Sequence, residues 1–168
     1  MNGIKETAIN REELHTLVPH RGKMFLLSRI TGFDLEGHVL VSEYDITRDC
    51  LFYREELGGV PSWVGFEFMA QSISALSGMK NRNYGKPPQL GFVLSVSQLQ
   101  LYVPVFKEKT TVRIEVEEET KVDAIYSFRG AIFNMPKTEK IVEAKLTVME
   151  TSNISSVLSM QESYPLAI

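Results

Sequence analysis

Apolar and polar residues alternate along six stretches of the chain, as expected for strands of a sheet that buries one face. Residues 23–33 and 38–46 come first, and a turn at Glu36 and Gly37 predicts that they pair as an antiparallel hairpin. The other four stretches lie in the second half of the chain, at residues 90–105, 109–120, 122–134 and 139–150. The pattern therefore predicts about six strands, divided into a group of two and a group of four.

Between these two groups, residues 63–79 are apolar nearly all round and predict a helix buried inside the protein. Ser62 lies where this helix is expected to begin, and Gly78 where it is expected to end. A short helix is predicted at residues 10–17, with Asn10 as its N-cap. One antiparallel sheet curled around the central helix would cover it most economically, so we expect an α+β fold. Such a fold leaves a sheet edge open, and we expect a second subunit to cover that edge.

Composition restricts the chain to an ordinary globular class. Of its 168 residues 43% are hydrophobic and 23% are charged, and the formal net charge is -3. This slightly acidic balance argues against binding to nucleic-acid phosphates, which requires a basic surface. The single cysteine, Cys50, has no zinc-like spacing to any of the three histidines, so we expect no metal site. We expect one domain over residues 1–150 and a serine-rich C-terminal tail over residues 151–168.

Signals for a membrane or for export are not found in the sequence. No apolar run approaches the roughly 20 residues that cross a bilayer. The first residues lack the apolar stretch of a secretory signal. We therefore expect a cytoplasmic protein with no membrane partner.

Glu67 is the first candidate for chemistry, because it is the only acid between Glu56 and Glu108 and lies within the apolar central helix. A carboxyl group in such surroundings can retain its proton near neutral pH and serve as a general acid. A glutamate at a subunit boundary, paired with an arginine or capping a helix, explains the position equally well.

His20 is the second candidate. It lies in the turn LVPHRGKM, between the short helix and the first strand, with a proline before it and a glycine two residues after it. Imidazole exchanges protons near neutral pH, which suits a general base. The more common role of a lone histidine is to pack in the core with a hydrogen bond to a carbonyl, and this alternative also fits.

Two further features suggest a ligand. The loop LGGVPS leads to free backbone N–H groups at Ser62, Trp63 and Val64, and such groups at a helix start polarise carbonyl oxygens and hold anions. Residues 68–107 contain no acid but four basic residues, Lys80, Arg82, Lys86 and Lys107. This stretch favours an anionic partner, although a few lysines near a turn are usually only solvated.

Three segments resemble those of FabZ/FabA-type 3-hydroxyacyl-[acyl-carrier-protein] dehydratases. The segment EELHTLVPHRGKMFLLSRI is similar to their N-terminal signature, a short helix followed by a PHR turn and an apolar strand. GVPSWVGFEFMAQ is similar to their central-helix signature, and LYVPVFKEKTTVRIEVE to the strand, loop and strand that follow it. The resemblance runs from about residue 12 to residue 150 and implies the hotdog fold, an antiparallel sheet wrapped around a central helix.

The resemblance implies that Glu67 is the catalytic acid and that four residues bind substrate, namely Ser62, Trp63, Gly65 and Gln71. It departs from the family at one place, because Tyr53 stands where the catalytic histidine lies in the family's GHFPG loop. The run PSWVG before the acid looks closer to the dehydratase-like proteins of aryl polyene gene clusters. We therefore expect His20 to supply the missing base.

The function that this resemblance implies is dehydration of 3-hydroxyacyl thioesters to trans-2-enoyl thioesters, in fatty-acid-like or aryl polyene biosynthesis. The substrate is expected on the phosphopantetheine of an acyl carrier protein, with no further cofactor. The chain is expected to form a homodimer, or a heterodimer with a related dehydratase. Two alternatives stay open, a hotdog acyl thioesterase and a non-catalytic partner subunit of a heterodimeric dehydratase.

Overall fold

The structure, a computed structural model, describes residues 3–136 and 139–151. These residues form two α-helices, α1 (Arg11–His15) and α2 (Gly65–Asn83). They also form nine strands: β1 (Lys5–Ile9), β2 (Arg29–Asp34), β3 (Val39–Asp45), β4 (Gly59–Pro61), β5 (Leu90–Leu101), β6 (Val105–Lys107), β7 (Thr111–Val122), β8 (Ile125–Asn134) and β9 (Glu139–Thr151).

Seven strands form one antiparallel sheet in the order β1-β2-β3-β7-β8-β9-β5, and β4 pairs with β6 in a small second sheet. Helix α2 packs on one face of the large sheet, mainly against β3, β7 and β8. The predicted arrangement of an antiparallel sheet around a central helix is therefore confirmed. The predicted six strands are all present in the large sheet, which gains β1 as a seventh because the short, mostly exposed segment KETAI gives little hydrophobic signal.

The core lies between α2 and the sheet. Phe68 and Met69 of α2 have no exposed surface. The alternating residues of the central strands point at them, as Ile114 of β7 does. A buried hydrogen bond between the hydroxyl groups of Ser42 on β3 and Ser72 on α2, at 2.7 Å, also ties the helix to the sheet. Because one side of α2 is packed on the sheet, a ligand can reach only the remaining side of the helix.

The ends of α2 differ from the prediction. A 3₁₀ turn over Ser62–Val64 precedes the helix, which continues to Asn83 rather than stopping near Gly78. A Cβ atom at Gly78 would overlap the backbone carbonyl of Leu17. The glycine is required here by close approach of two backbones and not by a left-handed helix end.

The segment before β2 is not the strand that alternation predicted. Asn10 caps α1 as expected, since its side-chain oxygen accepts a hydrogen bond from the Glu13 N–H at 2.9 Å. Residues 22–24 then form a 3₁₀ turn. The Arg11 guanidinium donates to the carbonyl groups of residues 25–27. In a strand these carbonyl groups would instead accept hydrogen bonds from the N–H groups of a neighbouring strand. The apolar side chains of this run are buried without joining the sheet until Arg29.

The predicted tail over residues 151–168 lies outside the described residues except for Thr151, which ends β9. No helix in the described part of the chain has the length and apolar character needed to cross a membrane. Within residues 3–136 and 139–151, no group of three or more His, Cys, Asp or Glu side chains is arranged to hold a metal ion.

Candidate functional site

His20 and Glu67 meet in one groove, although they come from different parts of the fold. His20 lies in the loop after α1, and Glu67 lies at the start of α2. The His20 Nε2 atom is 4.0 Å from the Glu67 Oε1 atom, and about a quarter of each side chain is exposed. Both line a groove of about 380 Å³ between α2 and the first residues of β5. The structure thus brings the two candidate proton-transfer groups to one cavity of ligand size.

Gln71 fixes this pair in place. Its side chain is fully buried one turn after Glu67, and its Nε2 donates to the Glu67 Oε1 at 3.0 Å and to the Met24 carbonyl at 2.7 Å. Its Oε1 accepts a hydrogen bond from the Leu26 N–H at 2.9 Å. Both of its amide hydrogens and its oxygen are used within the protein, so the expected contact of Gln71 with substrate stays a prediction that these bonds do not favour. It positions Glu67 relative to the loop that carries His20.

Two arginines hold the same loop from its outer side. Arg21 donates to the carbonyl groups of Val18 and His20, at 2.6 and 2.7 Å. Arg11 holds the carbonyl groups of residues 25–27 and lies over the Phe25 ring at 4.2 Å. The arginine of the PHR turn is therefore structural, and the loop around His20 is anchored at several points.

Burial lowers the pKa of His20 below its ordinary value, and the attraction of Glu67 opposes this only in part. The nearby Arg21 lowers the pKa further. The His20 Nδ1 atom is buried and has no hydrogen-bond partner among the described residues. The imidazole is therefore neutral near pH 7, which is the state a general base requires.

The start of α2 does not offer the free backbone donor that the sequence suggested at Ser62, and the N–H of Gly65, another expected substrate-binding residue, is also bonded. The Ser62 N–H donates to the Pro104 carbonyl at 3.0 Å, and its hydroxyl donates to the Val103 carbonyl. The Gly65 N–H donates to the Ser62 carbonyl. A Cβ at Gly65 would lie 2.7 Å from the Ile132 side chain. These two residues close the turn against the sheet with their N–H groups bonded within the chain, and their role in substrate binding stays a prediction.

Trp63 differs from its neighbours because half of it is exposed, at 49%. Its ring meets the Phe52 ring edge-on, with the ring centres 6.4 Å apart, and does not line the groove. In the 3₁₀ turn over Ser62–Val64, i→i+3 bonding pairs the Val64 N–H with the Pro61 carbonyl. This leaves the N–H of Trp63 as the candidate donor at the helix start.

Tyr53, which stands at the place of the family's loop histidine, lies outside the groove. Its hydroxyl donates to Glu108 at 3.1 Å. The loop that carries the histidine in FabZ/FabA-type enzymes therefore contributes no proton-transfer group to this groove from its own chain. His20 is the histidine that does.

The basic stretch is partly neutralised. Lys80 lies 3.2 Å from Glu118, and Arg82 lies 3.1 Å from Glu13. Lys86 is exposed and has no ion pair within the described residues. A docking role for this stretch stays a prediction, with fewer free charges than the sequence suggested.

Sequence reasoning missed the walls of the groove. Beyond Glu67, the face of α2 that lines it carries Ala70, Ser74 and Ser77, and the opposite wall is residues 89–93 with Val148. Small residues at intervals of three and four along one helix face were the available signal, because they leave room beside the helix. Which strand stands opposite them depends on pairing across the sheet and not on local pattern.

The family model for ApeP-like proteins, described as ApeP dehydratase, matches residues 12–159 of the chain. A comparison with curated protein sequences gives no significant match. Among solved structures, the chain is similar to the dehydratase heterocomplex ApeI:P from Xenorhabdus doucetiae, with a TM-score of 0.78 and 21% identity. That match covers 88% of this chain and 95% of the other.

Thioesterases are also among the similar structures. A hypothetical thioesterase with coenzyme A from Streptococcus pneumoniae has a TM-score of 0.53 and 14% identity, over 68% of this chain and 80% of that one. The PaaI protein of E. coli has a TM-score of 0.56 and 8% identity, over 74% and 79%. At these identities the matches show the fold, and they confirm the hotdog fold that the sequence resemblance implied.

Proposed function

Because the chain belongs to the ApeP-like dehydratase family, we propose that it removes water from a 3-hydroxyacyl thioester to give a trans-2-enoyl thioester. The observation that carries this proposal is the 4.0 Å approach of His20 Nε2 to Glu67 Oε1 within one groove. β-Elimination of water needs a base for the C2 proton and an acid for the C3 hydroxyl, and these two groups supply both.

In the proposed reaction His20 Nε2 removes a proton from C2, which the thioester makes acidic. The electron pair of that C–H bond forms the C2–C3 double bond, and the C3–O bond breaks. Glu67 donates its proton to the departing hydroxyl, which leaves as water. Each proton transfer contributes on the order of 10²- to 10⁴-fold, and the fixed geometry of the groove adds to this.

Gln71 determines which oxygen of Glu67 donates the proton to the departing hydroxyl. Because its Nε2 donates to Glu67 Oε1, that oxygen is kept as an acceptor, and Oε2 is the oxygen that carries the proton. After turnover His20 holds a proton and Glu67 is ionised. The 4.0 Å between them is short enough for one water to return the proton and restore the pair.

The negative charge that develops on the thioester oxygen needs a donor. We assign this role to the backbone N–H of Trp63 in the turn before α2, because those of Ser62, Val64 and Gly65 are already bound. Only this part of the predicted helix-start site is kept in the proposal.

We also propose a second subunit along β5. This strand is the last of the large sheet, is twelve residues long, and exposes apolar side chains, among them Val93, Leu94 and Leu101. The opposite edge, β1, is only five residues long and begins with Lys5 and Glu6, which discourages pairing. The likeness to a dehydratase heterocomplex favours a related dehydratase as the partner over a second copy of this chain.

The remaining parts of the proposal concern the substrate. A mostly apolar groove of about 380 Å³ suits an acyl chain carried on the phosphopantetheine of an acyl carrier protein, and we propose that the reaction takes place in the cytoplasm. Of the four basic residues after Glu67, Lys80 and Arg82 are paired with acids. The proposed docking surface for the acidic carrier protein therefore consists of Lys86 and Lys107. No metal or nucleotide takes part in the proposed steps.

The test is product analysis with a 3-hydroxyacyl pantetheine thioester, using the chain alone and the complex with its co-purified partner subunit. An enoyl thioester, seen by its ultraviolet absorbance, is the expected product. In Glu67→Gln we expect the rate to fall by on the order of 10²-fold or more, because the amide cannot give up a proton. Free thiol without enoyl product would instead identify a thioesterase.

A second candidate function is that of a partner subunit with no reaction of its own. The observation in its favour is that Tyr53, at the place of the family's loop histidine, is bound to Glu108 outside the groove. In that case the complex makes the enoyl product, and Glu67→Gln in this chain leaves its rate unchanged. Full loss of rate in the complex with the variant would contradict the partner role.

A further inference from the structure

The loop that carries His20 has few restraints of its own. Residues 18–20, all within the described part of the chain, form no hydrogen bond between backbone groups, and Pro19 has no N–H to donate. The His20 ring makes no hydrogen bond with the described residues, since its Nδ1 is unpartnered and its Nε2 lies 4.0 Å from Glu67 Oε1. Other contacts therefore determine where this ring points.

Arg21 supplies such contacts, because its side chain folds back over the loop. Its Nη1 atom donates to the carbonyl of Val18 at 2.6 Å and to that of His20 itself at 2.7 Å. A longer bond of 3.3 Å reaches the carbonyl of His15, the last residue of α1. One guanidinium group thus joins the end of α1 to the peptide of the proposed base.

We infer that Arg21 is a positioning residue for the proposed reaction, and that its bonds to the Val18 and His20 carbonyls hold the His20 imidazole towards Glu67. The inference rests on the proposed function, but Arg21 does not line the groove and therefore acts through His20. A guanidinium suits this role because it is planar and directs its N–H groups rigidly. The ammonium of a lysine, on a flexible stem, holds carbonyl groups less firmly.

The charge of Arg21 has a second effect that can be separated from its hydrogen bonds. Burial is the main cause that lowers the pKa of His20, Glu67 on α2 raises this pKa, and Arg21 lowers it. The other walls of the groove add one more charged side chain, Glu150 of β9, since residues 89–93 carry none. Arg21→Gln removes the charge and the bonds together, whereas Arg21→Lys keeps the charge and weakens the bonds.

The first experiment measures dehydration of a 3-hydroxyacyl pantetheine thioester by the complex with its co-purified partner. In Arg21→Gln we expect kcat to fall about tenfold with KM changed by about twofold or less, because a misdirected base slows the chemical step. We also expect the acid limb of kcat/KM to move to higher pH in Arg21→Gln and to stay in place in Arg21→Lys. In Arg21→Lys we expect kcat about threefold below the wild type, through the weakened bonds alone. Wild-type kcat in both variants would overturn the inference.

Lys23→Gln is the matched control. Lys23 lies two residues further along the chain, is exposed, and makes no hydrogen bond or ion pair with the described residues. It does not line the groove, and we expect its loss to change kcat by about twofold or less. A fall in kcat equal to that of Arg21→Gln would overturn the inference, because any nearby charge would then have the same effect.

The second experiment detects the position of His20 without substrate. The chain has three histidines, and the imidazole signal that is lost from the NMR spectrum in His20→Gln identifies His20. Glu67→Gln should lower the pKa of His20, because Glu67 raises it. If Arg21 holds the ring towards Glu67, this decrease is smaller when Arg21→Gln is also present. An equal decrease with and without Arg21→Gln would overturn the inference, and Arg21→Lys provides the same comparison if Arg21→Gln fails to fold.

The two experiments together separate this inference from the proposed function. A smaller decrease in the Arg21→Gln background supports the positioning role even if the complex forms no enoyl product. Enoyl product at the wild-type rate in Arg21→Gln, with an equal decrease in both backgrounds, would support the proposed function and reject the inference.

Discussion

The turn Ser62–Val64 and the next turn of α2 lie side by side in the sequence, yet the structure uses them in opposite ways. At the first turn, Ser62 is fully buried and both of its hydrogen-bond donors are bound to the chain between β5 and β6. At the next turn, Glu67 keeps about a fifth of its side chain exposed and faces the groove beside His20.

This difference teaches that a helix start is available to a ligand only if its donors are not already used. The motif GVPSWVGFEFMAQ contains both turns, and in the sequence both resemble a substrate site. In the structure the first turn joins α2 to the sheet, and the second holds Glu67, which faces His20 from the loop after α1. Substitutions at the two turns should therefore separate stability from catalysis.

The largest effect is expected at the groove. In His20→Gln we expect kcat/KM to fall by on the order of 10²- to 10⁴-fold, because glutamine cannot accept the C2 proton. His15→Gln is the matched control, a histidine on α1 that does not line the groove, and it should keep activity within a few-fold. Steady-state rates with a 3-hydroxyacyl thioester check both variants. Nearly full activity in His20→Gln would remove His20 from the mechanism.

The dependence of this rate on pH gives a second check on His20. Burial lowers the pKa of this residue, so the base is neutral at pH 7 and loses activity only as the pH falls through the lowered value. We expect the acid limb of kcat/KM in the wild-type chain to have its midpoint below about 6.5, the ordinary value for histidine. A midpoint above that value would contradict the predicted direction.

A smaller effect is expected at Gln71, which acts through its neighbours. In Gln71→Leu the Leu26 N–H loses its partner and Glu67 loses a donor, so we expect kcat to fall about tenfold with a smaller change in KM. Ser72→Ala is the matched control, because this residue is equally buried but bonds Ser42 on the sheet. An equal loss of kcat in Ser72→Ala would mean that the effect of Gln71 is only one of stability.

The general fold was predictable from the sequence because each of its signals is local. Alternation marked the long strands, and the apolar run marked α2, so a sheet around one helix followed. Gly78 was misassigned because its reason is the backbone of Leu17, a contact between distant parts of the chain. The strand predicted from residue 23 failed in the same way, since Arg11 captures its carbonyl groups.

The candidate site was partly predictable for a similar reason. The choice of His20 and Glu67 as neighbours depended on the scarcity of other reactive groups, and the structure places them 4.0 Å apart. The hydrogen bonds of Ser62 and Gly65 were not predictable, because the Ser62 N–H and hydroxyl donate to Pro104 and Val103 and the Gly65 N–H donates within the turn itself. A motif shows which residue types are present, but hydrogen bonds made across the fold decide which of them are free.

The smallest effect on activity is expected at the first turn, where the effect on stability is clear. Ser62→Ala removes the buried hydroxyl that donates to the carbonyl of the partly buried Val103, and we expect a loss of about 1 kcal/mol in the free energy of unfolding. The rate should stay within about twofold of the wild type, because neither donor of Ser62 is free for substrate. Ser74→Ala, on the groove side of α2, is the control and should leave the stability unchanged. Denaturant unfolding and steady-state rates measure both quantities, and a large loss of rate in Ser62→Ala without loss of stability would return the helix start to the active site.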